Sequence, residues 1–192
     1  MLFIVISLLE LLLGALLTGA MFGVWLSFNP SGMSFTKYVL QQQQGIRTLD
    51  PTLPILGAVT ILLTLISAAL SWADHARFAV LLAGAFSYMA AGLITRLANQ
   101  RINSVVVTWT ADAPPANWGH LSKRWWYWHR MRTAAGILGL CLLITAATKP
   151  AFAGNQRRYV CPCVPQTQPA PSEPGSHTES RSDSMLHHLS RA

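Results

Sequence analysis

Apolar residues are concentrated in four segments of the chain, and polar residues lie between and after them. The segments are residues 2–28, 53–72, 78–97 and 131–148. A helix needs about 20 predominantly apolar residues to cross a membrane, and each segment is near or above that length. The pattern predicts an all-α fold, an integral membrane four-helix bundle of up-down topology in residues 1–148.

The charge content agrees with this interpretation. Only 11% of the residues are charged, whereas a soluble domain carries about 25%. The net charge is +7 at pH 7, but the basic residues are spread over membrane-proximal segments and form no known nucleic-acid-binding motif. The lipid bilayer is therefore the expected partner, and a nucleic acid is not.

Residues 149–192 have a different composition. They include the stretch "QTQPAPSEPGSHTESRSDS", which contains almost no large apolar residue. Such a segment cannot bury enough surface to offset the entropy lost on folding, so a disordered polar tail is predicted. Cys161 and Cys163 are too few ligands for a structural metal site, which needs four. No metal site is therefore predicted.

Two of the three connectors between the apolar segments are long, and in an up-down bundle they lie on the same side. They are residues 29–52 and 98–130, whereas residues 73–77 form a short turn. In the first connector, Tyr38, Gln41, Gln42 and Gly45 fall on one face of a possible short interfacial helix. More Lys and Arg residues lie on the long-connector side, but several belong to the candidate site, so the membrane orientation stays open.

The third apolar segment continues into the polar stretch "ITRLANQRIN". Arg96, Asn99 and Asn103 are spaced by three and four residues, so they share one face of a regular helix. Polar side chains at membrane depth cost free energy unless they are paired or line a cavity. This face therefore predicts the wall of a polar pocket at the end of the bundle.

The second long connector ends in "HLSKRWWYWHRMR". A helix is expected from about Leu121, after the two prolines of "APPANW". On it, Trp125, His129 and Arg132 share one face, and Arg124 lies on the adjoining stripe. A membrane-surface belt of aromatic and basic residues explains Lys123, Trp126, Tyr127 and Arg130 without a site. Trp109 and Trp118 fit either interpretation.

Glu10 lies inside the first apolar segment, where a carboxylate is unusual. The first and third helices run in the same direction, with Glu10 early in one and Arg96 late in the other. The two residues differ in depth by roughly 18 Å, so they cannot pair. Glu10 is therefore expected near the opposite surface, with a structural role.

Three stretches together resemble a known family. They are "QQQQGIRTLDPTLPILG", "ITRLANQRIN" and "W…PPANW…RWWYWHRMR". In this order they are similar to the DUF1772 membrane proteins, the group that includes the anthrone-oxygenase-like proteins, and in particular to their bacterial branch. The resemblance covers residues 12–148. It implies a protein of the bacterial cytoplasmic membrane.

Family members with an assigned role oxidise anthrones to anthraquinones with molecular oxygen, without metal or flavin. The resemblance therefore implies a cofactor-independent oxygenase for an anthrone-like or other planar, enolisable aromatic substrate. It implies His129 as the base, since histidine titrates near pH 6.5. The expected catalytic residues are His129, Arg132 and Asn103, and the expected substrate-binding residues are Arg96, Asn99, Trp109, Trp118, Arg124 and Trp125.

A non-catalytic function stays open beside the oxygenase. Arginines next to tryptophans at a membrane surface also suit the phosphates of lipids. The alternative is a membrane protein that binds a quinone, a lipid head group or an anionic metabolite. Such a protein is expected to tolerate the loss of His129 and to lose affinity when an arginine is replaced.

Overall fold

The computed structural model of the protein describes residues 2–148, which form five helices and no strand. These helices are α1 (Leu2–Ser27), α2 (Phe35–Leu49), α3 (Thr52–Leu70), α4 (His75–Val106) and α5 (Trp118–Thr148). All except α2 are long and apolar enough to cross a membrane. The prediction of an all-α integral membrane bundle is confirmed. The predicted disordered tail and its two cysteines lie outside the described residues.

The third and fourth membrane helices are longer than their apolar segments, residues 78–97 and 131–148. Helix α4 has 32 residues and α5 has 31, because each includes the polar helical stretch that was expected beside its apolar segment. Hydropathy marks the part of a helix that suits lipid, whereas the backbone hydrogen bonds continue through the polar residues beyond it. At 1.5 Å per residue, both helices are longer than the roughly 30 Å apolar layer of a bilayer. Their polar ends therefore extend beyond the membrane interior.

Helix α2 covers one end of the bundle. The Ser34 hydroxyl accepts a hydrogen bond from the Lys37 backbone N–H at 3.4 Å and caps its first turn. Its buried face includes Phe35 and Tyr38, whose rings lie 5.5–6.5 Å from the rings of Trp109 and Trp118. The two long connectors therefore meet on the same side, as the up-down arrangement predicts.

Close packing of α1, α4 and α5 depends on small residues. Tyr88 of α4 is buried, and its hydroxyl lies 3.3 Å from the Thr18 hydroxyl of α1. A Cβ atom added at Gly139 of α5 would lie 2.9 Å from the Tyr88 ring. Glycine at this position therefore allows the tyrosine to fit between the helices.

A second buried polar group lies at the other end of the bundle, near the short turn between α3 and α4. We call Ser7, Glu10, Ser67 and Arg77 the Glu10 cluster. All four are buried, and Arg77 Nη2 donates a hydrogen bond to Ser7 Oγ at 3.4 Å. The Glu10 carboxyl faces the Ser67 hydroxyl and the charge of Arg77. Glu10 thus lies far from Arg96, as the difference in depth predicts.

Candidate functional site

A cavity of about 250 Å³ lies under α2, where the ends of the four membrane helices meet. We call it the polar cavity. All five helices and the turn between α2 and α3 contribute to its wall. The polar side chains that line it are Ser27, Gln41, Gln42, Gln44, Asp50, Thr95, Asn103, Trp125 and Arg132. The apolar part of the wall includes Val24, Phe28, Ile46, Leu49, Leu53 and Pro54.

Asn103 connects the walls of the polar cavity. Its Oδ1 accepts hydrogen bonds from Gln42 Nε2 at 3.1 Å and from Trp125 Nε1 at 2.9 Å. Its Nδ2 donates to the two carboxylate oxygens of Asp50, at 3.4 and 3.3 Å. Because its amide is engaged on three sides, Asn103 fixes the position of Asp50 while it joins α2, α4 and α5.

Arg132 is the cation of the polar cavity. Its Nε donates to His129 Nδ1 at 3.1 Å, and its Nη1 donates to Thr95 Oγ1 at 3.2 Å. The charge of Asp50 acts on Arg132, yet the two side chains form no hydrogen bond with each other. Within residues 2–148, Nη2 of Arg132 has no hydrogen-bond partner. This nitrogen therefore remains available for an acceptor in the cavity.

His129 is fully buried and lies behind Arg132. Its Nε2 is 3.2 Å from the carbonyl oxygen of Met21, so Nε2 carries the hydrogen. Nδ1 then holds the lone pair that accepts from Arg132. The imidazole stacks on Trp125 at 5.0 Å and on Trp126 at 5.7 Å between ring centroids. In this geometry His129 orients the guanidinium group of Arg132. The imidazole itself does not line the polar cavity.

Three of the nine residues predicted for the site, Asn103, Trp125 and Arg132, come together in the polar cavity. Asn99 is instead fully buried and donates to the Trp125 backbone carbonyl at 3.1 Å. Arg124 is exposed on α5. Trp109 and Trp118 pack with the rings of α2, above the cavity rather than in its wall.

Tyr38 of α2 lies among these rings. Its burial there raises the pKa of the hydroxyl group, which therefore stays protonated.

Arg96 is exposed and donates to Gln100 Oε1 at 2.9 Å. The expectation that it shares a face with Asn103 was wrong because α4 contains a π-helical turn at Thr95–Asn99. Such a turn adds a residue to the helical repeat, so the part of the helix before it is rotated relative to the part after it. Thr95, rather than Arg96, therefore faces the polar cavity.

Asp50 and Thr95 were missed by the sequence analysis. Asp50 belongs to a chain with only seven acidic residues, and its rarity was the available signal. It was not among the residues predicted for the site. Thr95 offered no such signal, because its position depends on the π-helical turn.

A second cavity of about 230 Å³ lies beside the first. We call it the apolar cavity. It lies between α1, α3 and α4, and shares Leu53, Pro54, Thr95 and Arg132 with the polar cavity. The other residues of its wall are Leu17, Met21, Gly57, Ala58, Ile61, Tyr88, Ala91, Gly92, Arg96 and Gln100.

Comparison with known proteins identifies the family. The model of the anthrone oxygenase family matches residues 46–142, which is just over half of the chain. The match includes Asp50, Asn103, Trp125 and Arg132, and it omits all of α1 and most of α2. No curated protein and no solved structure matches the chain.

Proposed function

Because the chain belongs to the anthrone oxygenase family, we propose that it is a membrane oxygenase whose substrate binds in the polar cavity. The substrate is a planar aromatic ketone with an acidic CH₂ group, such as an anthrone. The observation that carries the proposal is the presence of Asp50 and the Arg132 Nη2 group in one cavity without a hydrogen bond between them.

The reaction converts the substrate CH₂ group into a second ketone. Loss of one proton from this carbon gives an enolate, whose negative charge lies largely on the ketone oxygen. The electron-rich enolate then reduces O₂, and a C–O bond forms at the same carbon. The resulting peroxide takes up the abstracted proton to give a hydroperoxide. Loss of water from the hydroperoxide forms the ketone. One oxygen atom of O₂ enters the product, and the other leaves as water.

Arg132 is proposed to stabilise the enolate. Its Nη2 group has hydrogens that no acceptor in residues 2–148 uses, while Nε and Nη1 are held by His129 and Thr95. A donor that is already oriented toward a developing oxyanion stabilises it without reorganisation in the transition state. The rings of Phe28 and Trp125 provide apolar wall for a flat substrate.

Asp50 is proposed to accept the proton from the substrate carbon. It lines the polar cavity, and Asn103 holds its carboxylate in place. The family resemblance implies His129 as the base, and this role stays a prediction. Its ring would first have to release the hydrogen bond from Arg132. We therefore assign the proton transfer to Asp50 and the orientation of Arg132 to His129.

The volume of the polar cavity limits the substrate. Sites for small molecules have volumes of roughly 300–1,000 Å³, and the polar cavity is slightly below this range at about 250 Å³. A compact system of fused rings suits this volume better than a large glycosylated or polymeric molecule.

Oxygen consumption tests the proposal. Purified protein in lipid nanodiscs is given anthrone and ¹⁸O₂, and the rate of autoxidation in nanodiscs without protein is subtracted. The expected results are oxygen uptake above this background and one ¹⁸O atom in each molecule of anthraquinone. If neither anthrone nor alkylated or hydroxylated anthrones raise the uptake above background, the oxygenase function is rejected.

The second candidate is a non-catalytic protein that binds a quinone, a lipid head group or an anionic metabolite. It is favoured by the same Nη2 group of Arg132, which suits a carbonyl or phosphate oxygen as well as an enolate. Binding of radiolabelled anthraquinone to the Asp50→Asn and Arg132→Gln variants separates the two functions. A binding protein loses affinity only with Arg132→Gln and consumes no oxygen above background even when unmodified. An oxygenase consumes oxygen when unmodified and loses this activity in both variants.

A further inference from the structure

The apolar cavity lies in the part of the protein that faces lipid. Ala58 of α3 and Gly92 of α4 line it and are exposed. Both residues lie within helices that are apolar enough to cross a membrane. Large apolar residues near them, such as Ile55, Val59 and Leu93, are also exposed. This cavity therefore opens on the surface that the acyl chains of the bilayer cover.

Arg132 lies where the two cavities meet. It lines both of them, together with Thr95, Leu53 and Pro54. The carboxylate and most of the amide side chains are on the polar side, whereas the other side is lined mainly by aliphatic side chains and glycines. The arrangement fits one elongated amphiphile, with a polar ring system on one side of Arg132 and an apolar chain on the other.

Small residues keep the outer side of the apolar cavity open. A Cβ atom added at Gly92 would meet no other atom within 4 Å, and one added at Gly57 would make only an ordinary contact of 3.7 Å with Leu17. A large side chain at position 92 can therefore cover the opening without a backbone clash. Gly19 of α1 also has no atom within 4 Å of an added Cβ, but it lines neither cavity.

We infer that the apolar cavity is a lateral opening through which a membrane-dissolved ligand reaches Arg132, and that it holds an alkyl or isoprenoid substituent of the bound ligand. The substrate is then a lipophilic aromatic ketone that carries an apolar chain. The identity of the ring system rests on the proposed function, whereas the path from the bilayer and the position of the chain do not.

Photolabelling in nanodiscs tests this inference without turnover. The probe is an anthraquinone with an alkyl chain that ends in a diazirine. A ringless alkane with the same diazirine labels the lipid-facing surface in general. Labelled residues are identified by mass spectrometry, with and without excess unsubstituted anthraquinone. The expected result is labelling of Gly57, Ile61 or Gly92 that the competitor suppresses for the quinone probe and leaves unchanged for the ringless probe.

Two variants should close the opening. Gly92→Trp, and Ala58→Phe on the opposite wall, are expected to reduce the competed labelling about tenfold, equivalent to about 1.4 kcal/mol of lost binding. Gly19→Trp is the matched control and should label like the unmodified protein. Unfolding in SDS shows that each variant is folded. Competed labelling that is absent, lies elsewhere, or survives both blocking variants overturns the inference.

Two patterns of results separate the two proposals. Competed labelling in the apolar cavity without oxygen uptake from any anthrone supports the lateral opening and rejects the oxygenase. Oxygen uptake that is unaffected by Gly92→Trp and Ala58→Phe, with labelling outside the cavity, supports the oxygenase and rejects the lateral opening.

Discussion

The Glu10 cluster and the polar cavity each combine a carboxylate with an arginine, at opposite ends of the same helix bundle. In the Glu10 cluster, Glu10 is 2% exposed and Arg77 is 6% exposed, and neither lines either of the two cavities. In the polar cavity, Asp50 and Arg132 are half-buried and line a shared wall. The carboxylate and the arginine are therefore buried between helices in the Glu10 cluster, whereas in the polar cavity they face an open space.

This difference separates a structural role from a chemical one. Charges that are enclosed within a membrane bundle are stabilised by the charged and polar groups of the bundle itself. In the polar cavity, Asn103, His129 and Thr95 hold the charged groups in place, and Nη2 of Arg132 remains available. The presence of a charged residue in a membrane helix therefore does not by itself distinguish the candidate site from the structural cluster.

The largest expected effect is on turnover, from replacement of Asp50. Asp50→Asn keeps an oxygen that can accept from Asn103 but removes the proton acceptor, so oxygen uptake should fall about 10²–10⁴-fold. Glu10→Gln removes the carboxylate of the other cluster and should leave the turnover of folded protein near that of the wild type. Asp112→Asn, at an exposed acid, is the surface control. Equal losses of turnover for Asp50→Asn and Glu10→Gln would contradict the assignment of a chemical role to the polar cavity and a structural role to the Glu10 cluster.

Replacement of Arg77 should affect stability instead. Arg77→Leu leaves the Glu10 carboxylate buried without its cation, which should cost about 3–5 kcal/mol in the free energy of unfolding. The measurement is unfolding in SDS within mixed micelles, with Arg130→Leu at an exposed arginine as the control. The double variant Glu10→Leu/Arg77→Leu should recover most of the loss and retain turnover. A stable but inactive double variant would instead assign the Glu10 cluster a part in the reaction.

Prediction from sequence succeeded where one local property determines the result. Long apolar runs identified four membrane helices, and helical spacing brought Trp125 and Arg132 to one face of α5. Prediction failed where three-dimensional packing determines which residues reach the cavity. The π-helical turn in α4 moved Arg96 away from Asn103, and Asp50 reaches the cavity only because α2 folds over the bundle. No spacing rule within a single helix describes either effect.

Replacement of Arg132 by lysine should reduce turnover about 10²–10³-fold, the usual effect of removing an oriented donor to an oxyanion. Lysine keeps the positive charge but cannot donate to His129, Thr95 and the substrate from three separate nitrogens. The rate constants for anthrone oxidation by wild type, Arg132→Lys and Arg124→Lys give the comparison, since Arg124 is exposed. Wild-type turnover in Arg132→Lys would show that charge alone is sufficient and that the fixed orientation is unnecessary.

The smallest expected effect, about tenfold in turnover, is for His129→Gln. Glutamine can offer an amide oxygen to Arg132 in place of Nδ1, so an orienting role should be partly retained. If His129 were the base, glutamine could not accept the proton, and the loss should reach about 10²–10⁴-fold. His129→Leu offers no acceptor to Arg132 and should lose more than His129→Gln if the role is orientation. Equal, large losses for both variants would identify His129, rather than Asp50, as the proton acceptor, and the carboxylate of the polar cavity would then resemble Glu10 in serving the structure alone.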